Sequence, residues 1–380
     1  MDLLFRLNKL PILRHMDFPP MLRNVCLLLF QEHLHCVSNI MKARPKTHFD
    51  HIVLMDFDDQ NSPRQYDYEA GGKKAAISIS GPSDLIAMPQ LNLVYYLPPG
   101  WEYIPTLVEL NRVLSPCGVR NFYMYTETED AVSTTHKPGF FIQNRKHLET
   151  IYNLLADEAS RETYLARIKA IVTGIAGYMP IASHHEYMHP QVLPEPGDIM
   201  IDGGVSDMVG AQNTFAEAVG PDGMVYGFEP IPSMYESAKE SLSRHKNYRL
   251  FCQGLGSKKE NLHFEYARDS SRVSTAGANT IECEMISIDS FVEEQGLERL
   301  DCIKLDIEGS ELAALEGAVK TIGKFKPKLI ICLYHNPEDM INIPACIKSL
   351  APEYELYVSH SSFFFTDTIL YARVPRQDYR

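Results

Sequence analysis

Five side chains stand where an apolar run gives way to a loop, and their types can do chemistry together: Asp202, Glu229, Asp306, Glu308 and His335. Asp202 closes the run Ile199-Met200-Ile201 and is followed by Gly203-Gly204, which reads as a buried strand ending where a ligand can approach the backbone closely. Glu229 closes the run Met224-Val225-Tyr226-Gly227-Phe228 and is followed by Pro230. The two carboxylates are about 27 positions apart, the span of a β-α-β unit whose second acidic residue accepts hydrogen bonds from the hydroxyls of an adenosine ribose. Residues 300–305 read as a further strand closed by Asp306, with Glu308 in the following turn and a helix starting near Ser310. Residues 328–334 read as its neighbour, closed by His335. An imidazole titrates near neutrality and can take the proton of an alcohol, so His335 is the expected base. Asp306 and Glu308 then orient the acceptor, orient the imidazole, or hold a divalent metal, and a metal is not counted in the expected site.

The first loop separates two classes of cofactor. A dinucleotide needs G-x-G-x-x-G with amides free for pyrophosphate, whereas Asp202-Gly203-Gly204-Val205-Ser206-Asp207-Met208 sets carboxylates beside the glycines. Carboxylates disfavour pyrophosphate and suit a ligand bearing a sulfonium and an ammonium. Two other readings remain: a catalytically silent cofactor-binding scaffold and a nicotinamide-dependent oxidoreductase.

These strand ends need an α/β sheet to position them. A chain of 380 residues exceeds the size, roughly 250 to 300, at which one core stops growing, so more than one domain is expected. The pattern divides into an amino-terminal helical region at 1–45, which includes the apolar run 25–30, and a small α/β domain of unassigned role at 46–145. A helical connector and proline-bearing linker follows at 146–193, then the ligand-binding domain at 194–380. In the small domain, strands are expected at 52–55, 76–79, 91–96 and 121–125 and a helix at 104–114; residues 354–360 and 368–374 form a closing hairpin. His185-Glu186-Tyr187-Met188-His189 matches the zinc pattern HExxH, but that geometry needs a sustained helix and Pro190 follows at once, so it reads as a chance match in the linker.

The formal net charge of −13 repels a phosphate backbone, which argues against nucleic-acid partners. The 8 cysteines show no zinc or redox spacing and read as reduced thiols of a cytoplasmic protein. The apolar run 25–30 is far short of the roughly 20 residues of a membrane span.

In order and spacing, Ile201-Asp202-Gly203-Gly204, Gly227-Phe228-Glu229-Pro230, the run from Ile303 through Asp306, Glu308 and Gly309 to Glu311, Leu333-Tyr334-His335, and the closing Tyr357-Val358-Ser359-His360 with Ile369-Leu370-Tyr371-Ala372 resemble the FkbM family of S-adenosylmethionine-dependent methyltransferases. The resemblance covers most of the carboxy-terminal half. It implies a class I Rossmann-like sheet of seven strands, S-adenosylmethionine as cofactor, and O-methylation of a hydroxyl on a small-molecule, sugar or glycan acceptor. It also implies that Asp202, Gly204 and Glu229, with their neighbours Gly203 and Pro230, line the methionine and ribose parts of the cofactor, and that Gly254 and Leu255 line the adenine pocket. Met208 stands where the family often has glycine, and its bulk bears on the methionine pocket. No motif specifies the acceptor or the oligomeric state.

Overall fold

A computed structural model of the chain describes residues 25–43, 48–70, 73–87, 92–96, 121–125, 138–173, 180–205, 209–267, 270–274, 280–361 and 367–375. The chain divides into two compact units, the second comprising Lys146–Tyr164, Ala182–Ser361 and Thr366–Arg380.

The first unit holds a sheet of strands β1 (Val25–Leu29), β2 (His51–Leu54), β3 (Gln65–Ala70), β4 (Lys73–Ser80), β5 (Asn92–Tyr96) and β6 (Asn121–Tyr125), in the order β3-β4-β2-β1-β5-β6. Residues 25–29, expected to be helical, are instead the central strand, every residue buried and paired in parallel with β2 on one side and β5 on the other. A parallel strand covered on both faces is an unbroken apolar run, and five residues are too few to show a helical period. Among the described residues of this region, Val37–Ala43 form an α-helix. The helix expected at 104–114 lies outside the described residues.

The second unit carries β7 (Ile199–Gly203), β8 (Met224–Phe228), β9 (Tyr248–Phe251), β14 (Cys302–Leu305), β15 (Lys328–Cys332), β16 (Glu355–His360) and β17 (Thr368–Arg373) in the order β16-β17-β15-β14-β7-β8-β9. From β7 the chain proceeds outward through β8 and β9 on one side, and later through β14 and β15 on the other. The order therefore reverses between β7 and β14, and the loops leaving these two strands diverge over the crevice where open α/β sheets bind ligands. Alternating burial in β13 (Thr280–Ile286) marks a smaller sheet that motif reading had not separated, β10-β13-β11-β12, with β10 (Gly254–Leu255), β11 (Glu260–Ala267) and β12 (Ser270–Ser274). No helix among the described residues is long and apolar enough to cross a membrane.

Of the segment expected to be connector and linker, 146–164 and 182–193 belong to the second unit and 165–181 to the first. Leu155 bridges Leu356 in parallel, and Ser160 Oγ accepts from Val358 N at 2.9 Å. Tyr187 and Val192 join the core cluster of Phe215, Val225, Cys302 and Ile330. Tyr164 repairs a helix. Pro344 lies inside Asp339–Leu350 and has no N–H for the carbonyl of Met340 four residues back, and the buried Tyr164 hydroxyl donates to that oxygen at 2.8 Å. Tyr164→Phe should therefore cost about 1 to 3 kcal/mol in denaturant unfolding. The loss should shrink in a Pro344→Ala background, which returns a backbone donor to the same carbonyl; equal losses in both backgrounds would refute the pairing.

Candidate active site

The loop after β7 is fixed from below. Asp202 is fully buried, its Oδ1 3.1 Å from Lys304 Nζ and its Oδ2 accepting from Tyr248 Oη at 2.7 Å. Lys304 also donates to the carbonyls of Gly203 at 3.0 Å and Gly204 at 2.9 Å. Burial raises the Asp202 carboxyl against the pull of Lys304. Burial works against the charge on Lys304 as well, but Asp202 and Asp306 outweigh it and hold the ammonium protonated. Two glycines make room for this network. A Cβ on Gly227 would stand 2.5 Å from Tyr248 Oη, and one on Gly204, whose φ is +81°, would stand 1.7 Å from the carbonyl oxygen of Asp306.

Above the loop is a cavity walled by Gly204, Glu229, Pro230, Gly254, Leu255 and, towards β14, by Asp306 and Glu308. Glu229 ends β8, where its Oε1 accepts from Ile231 N at 2.8 Å and is thereby fixed. Pro230, Met234, Phe264 and Met285 make the adjoining apolar wall. Gly254 must be small, since a Cβ there would meet Met285 Sδ at 2.5 Å. A carboxylate beside an apolar slot fits an adenosine: hydroxyls to the acid, base to the slot. Ser206, Asp207 and Met208, and with them the expected effect of Met208, lie outside the described residues.

At the other end, Asp306 accepts from two tyrosines, Tyr187 Oη to Oδ2 at 2.6 Å and Tyr334 Oη to Oδ1 at 2.9 Å. His335 lies behind it, 5% exposed. Its Nε2 is 3.3 Å from Asp306 Oδ1 and 3.7 Å from Glu308 Oε2, and its Nδ1 is 2.9 Å from Glu311 Oε1. Glu308 has φ +55° and Gly309 +99°, so a non-glycine residue is held in the left-handed region at the cavity edge, a conformation that persists only where its surroundings enforce it. Burial would raise Asp306, yet Lys304 and His335 hold its carboxyl below the usual range. His335 stands behind the cavity's carboxylates and not on the cavity itself, which bears on its expected role as base. Burial alone would lower its pKa, but Glu311, Glu308 and Asp306 press on the ring together and raise it to about 10. These carboxylates favour the protonated ring, which weighs against its taking a further proton.

The structure thus brings Gly204, Glu229, Pro230, Gly254, Leu255, Asp306 and Glu308 to one cavity, and sets Asp202, Gly203 and His335 off its wall. Sequence reading missed Phe264, Met285, Tyr334, Tyr187 and Tyr248. Phe264 and Met285 were legible as alternating apolar positions in β11 and β13, whereas nothing local marks Tyr187. The HExxH segment forms turns, not a helix. The His189 ring lies 4.8 Å from that of Tyr371 and 5.3 Å from that of Tyr357, a packing role.

Comparison with known proteins agrees with this geometry. Residues 202–380 match the family model described as the methyltransferase FkbM domain. Over 103 residues the chain is 31% identical to the hexuronic acid methyltransferase AglP of Haloferax volcanii, covering 26% of this chain and 42% of that protein. The chain therefore spans less than half the length of this curated relative. Its fold resembles the crystal structure of methyltransferase FkbM from Methylobacillus flagellatus, with a TM-score of 0.56 and 19% identity over 92% of this chain and 90% of the other. Residues 202–380 thus match a methyltransferase domain model, and the seven-stranded sheet that carries them has the class I order.

Burial lowers the His189 imidazole to about 4, below its unfolded value of about 6.5. The neutral ring's contribution is present above pH 6.5 and is lost as pH falls through 4. His189→Phe keeps a ring there without a proton site. The stability advantage of wild type over this variant should shrink between pH 7 and pH 4 in urea unfolding; a constant difference would mean that the imidazole is not held neutral.

Proposed function

From the match of residues 202–380 to the methyltransferase FkbM domain, we propose that the chain binds S-adenosylmethionine and transfers its methyl group to a hydroxyl oxygen of a sugar, glycan or natural product. When bound, S-adenosylmethionine supplies an electrophilic methyl carbon on a sulfonium, taken by in-line displacement as the carbon–sulfur bond breaks. Glu229 would hold the ribose hydroxyls, Gly204 would let the methionine part approach the backbone, and Pro230, Gly254, Leu255, Phe264 and Met285 would enclose the adenine.

The observation that carries the acceptor assignment is the placement of Asp306 and Glu308 in the same cavity as Glu229, at its other end. Carboxylates accept hydrogen bonds from hydroxyls and repel other carboxylates. A neutral polyhydroxyl acceptor therefore fits this end better than an anionic one; the name of the Haloferax relative, a hexuronic acid methyltransferase, supports a sugar but one that carries a carboxylate. Asp306, already accepting from Tyr187 and Tyr334, orients the acceptor; Glu308, with 31% of its side chain exposed, takes the hydroxyl proton and passes it to solvent. His335 is a positioning residue that holds both carboxylates with its charge. The unpaired buried thiols of Cys26, Cys36, Cys302 and Cys332 suit a cytoplasmic setting, which belongs to the same reading.

Losing a charged hydrogen-bond partner costs about 1.5 to 3 kcal/mol. Glu229→Ala should therefore weaken S-adenosylhomocysteine binding by at least about tenfold in calorimetry. Unchanged affinity in a folded variant would remove Glu229 from the site. Methyl transfer from labelled cofactor to a panel of neutral sugars and uronic acids tests the acceptor: incorporation into hydroxyls of neutral sugars is expected, and label confined to a uronic acid carboxyl would overturn the reading.

A further inference from the structure

Behind the acceptor wall, Asp306, Glu308 and Glu311 gather on one imidazole. Glu311 is fully buried, and its Oε2 has no hydrogen-bond partner among the described residues. Asp306, Glu311 and His335 each offer a ligand atom within 4.8 Å of the others.

An imidazole presents one nitrogen to an ion. Here Nδ1 faces Glu311 Oε1 at 2.9 Å, and Glu311 is itself tied to the turn by accepting from Ile307 N at 2.8 Å. That contact leaves Nε2 aimed at Asp306 and Glu308, at 3.3 and 3.7 Å, separations that suit neighbouring ligands around one ion. A carboxylate behind a histidine whose other nitrogen meets a metal is the common arrangement of metal-binding imidazoles. We propose that this is a divalent cation site of the magnesium or manganese type, with Asp306, Glu308 and His335 Nε2 as ligands and Glu311 as the group that orients the ring.

The ligand set is mostly oxygen, which suits such ions. Because Asp306 and Glu308 also line the cavity, the ion would face the acceptor. There it would lower the pKa of a hydroxyl brought to it, whose proton leaves by way of the partly exposed Glu308 to solvent. What the ion does rests on the methyl-transfer reading; where it sits does not.

The test uses the full chain, stripped with chelator and titrated with Mn²⁺, the free ion being followed by electron paramagnetic resonance. S-adenosylhomocysteine affinity is measured by calorimetry on the same sample. One ion per chain is expected, weakened at least about tenfold by Asp306→Asn and His335→Gln and about ten- to a hundredfold by Glu311→Gln. The remote Glu353→Gln should leave it unchanged. Should the buried variants fail to fold, Glu308→Gln at the partly exposed ligand carries the test, and it too should weaken binding. Protein that binds S-adenosylhomocysteine but no Mn²⁺ at millimolar ion overturns the proposal and leaves the methyltransferase reading standing, as does Mn²⁺ binding that these substitutions leave unchanged. Mn²⁺ bound as expected without S-adenosylhomocysteine binding supports the site and counts against the methyl-transfer reading.

Discussion

Asp202 and Lys304 form a charged pair with almost no access to water at the point where the order of the seven-stranded sheet reverses, and the ligand crevice depends on it. Neither charge is tolerable there alone. Lys304 reaches from β14 to the carboxylate of β7 and to the two carbonyls that follow it, and Tyr248 reaches the same carboxylate from β9 across Gly227. One carboxylate thereby ties three strands and fixes the path of Gly204. The close approach of Gly204 to the carbonyl of Asp306 then brings the cofactor-side loop and the acceptor-side loop into backbone contact. An insertion in either loop would be felt in the other.

The same lysine links the two ends electrostatically. Its ammonium lies 5.2 Å from the centre of the Tyr187 ring, whose hydroxyl donates to Asp306. Charge from Lys304 and His335 lowers the pKa of Asp306 and favours its ionised form at that end of the cavity. That arrangement suits hydroxyl chemistry, in which a developing positive charge on the attacking oxygen must be relieved by proton loss. Carboxylates facing both ring nitrogens of His335 raise its hold on a proton, which weighs against a role as base.

Much of this was legible in the sequence because strand ends are local. Asp202, Glu229, Asp306 and His335 each close an apolar run, and four such closures in order define a sheet and its rim. Position on the rim was legible, but direction was not. Whether a carboxylate at a strand end faces the ligand or the core depends on what lies across the sheet, and the partners of Asp202 are 46 and about 102 residues away in sequence. The state of His335 was hidden for a similar reason. Its pKa follows from Glu311, which was read as part of a helix start. The strand Val25–Leu29 was mistaken for a helix because a short fully buried run carries no period, and Tyr187 escaped notice because the HExxH pattern drew attention to the wrong side chains of its segment.

The central claim is that Asp202 builds the crevice from below instead of touching the cofactor. Asp202→Asn separates the two roles, because it keeps the side chain's shape while leaving Lys304 buried opposite a neutral group. Unfolding in denaturant and calorimetric titration with S-adenosylhomocysteine, at a temperature where the variant is folded, give the two readouts. The account predicts a stability loss of about 3 to 5 kcal/mol with cofactor affinity kept within about fivefold. Unchanged stability with affinity lost by about tenfold or more would contradict it and place the carboxylate in contact with the ligand.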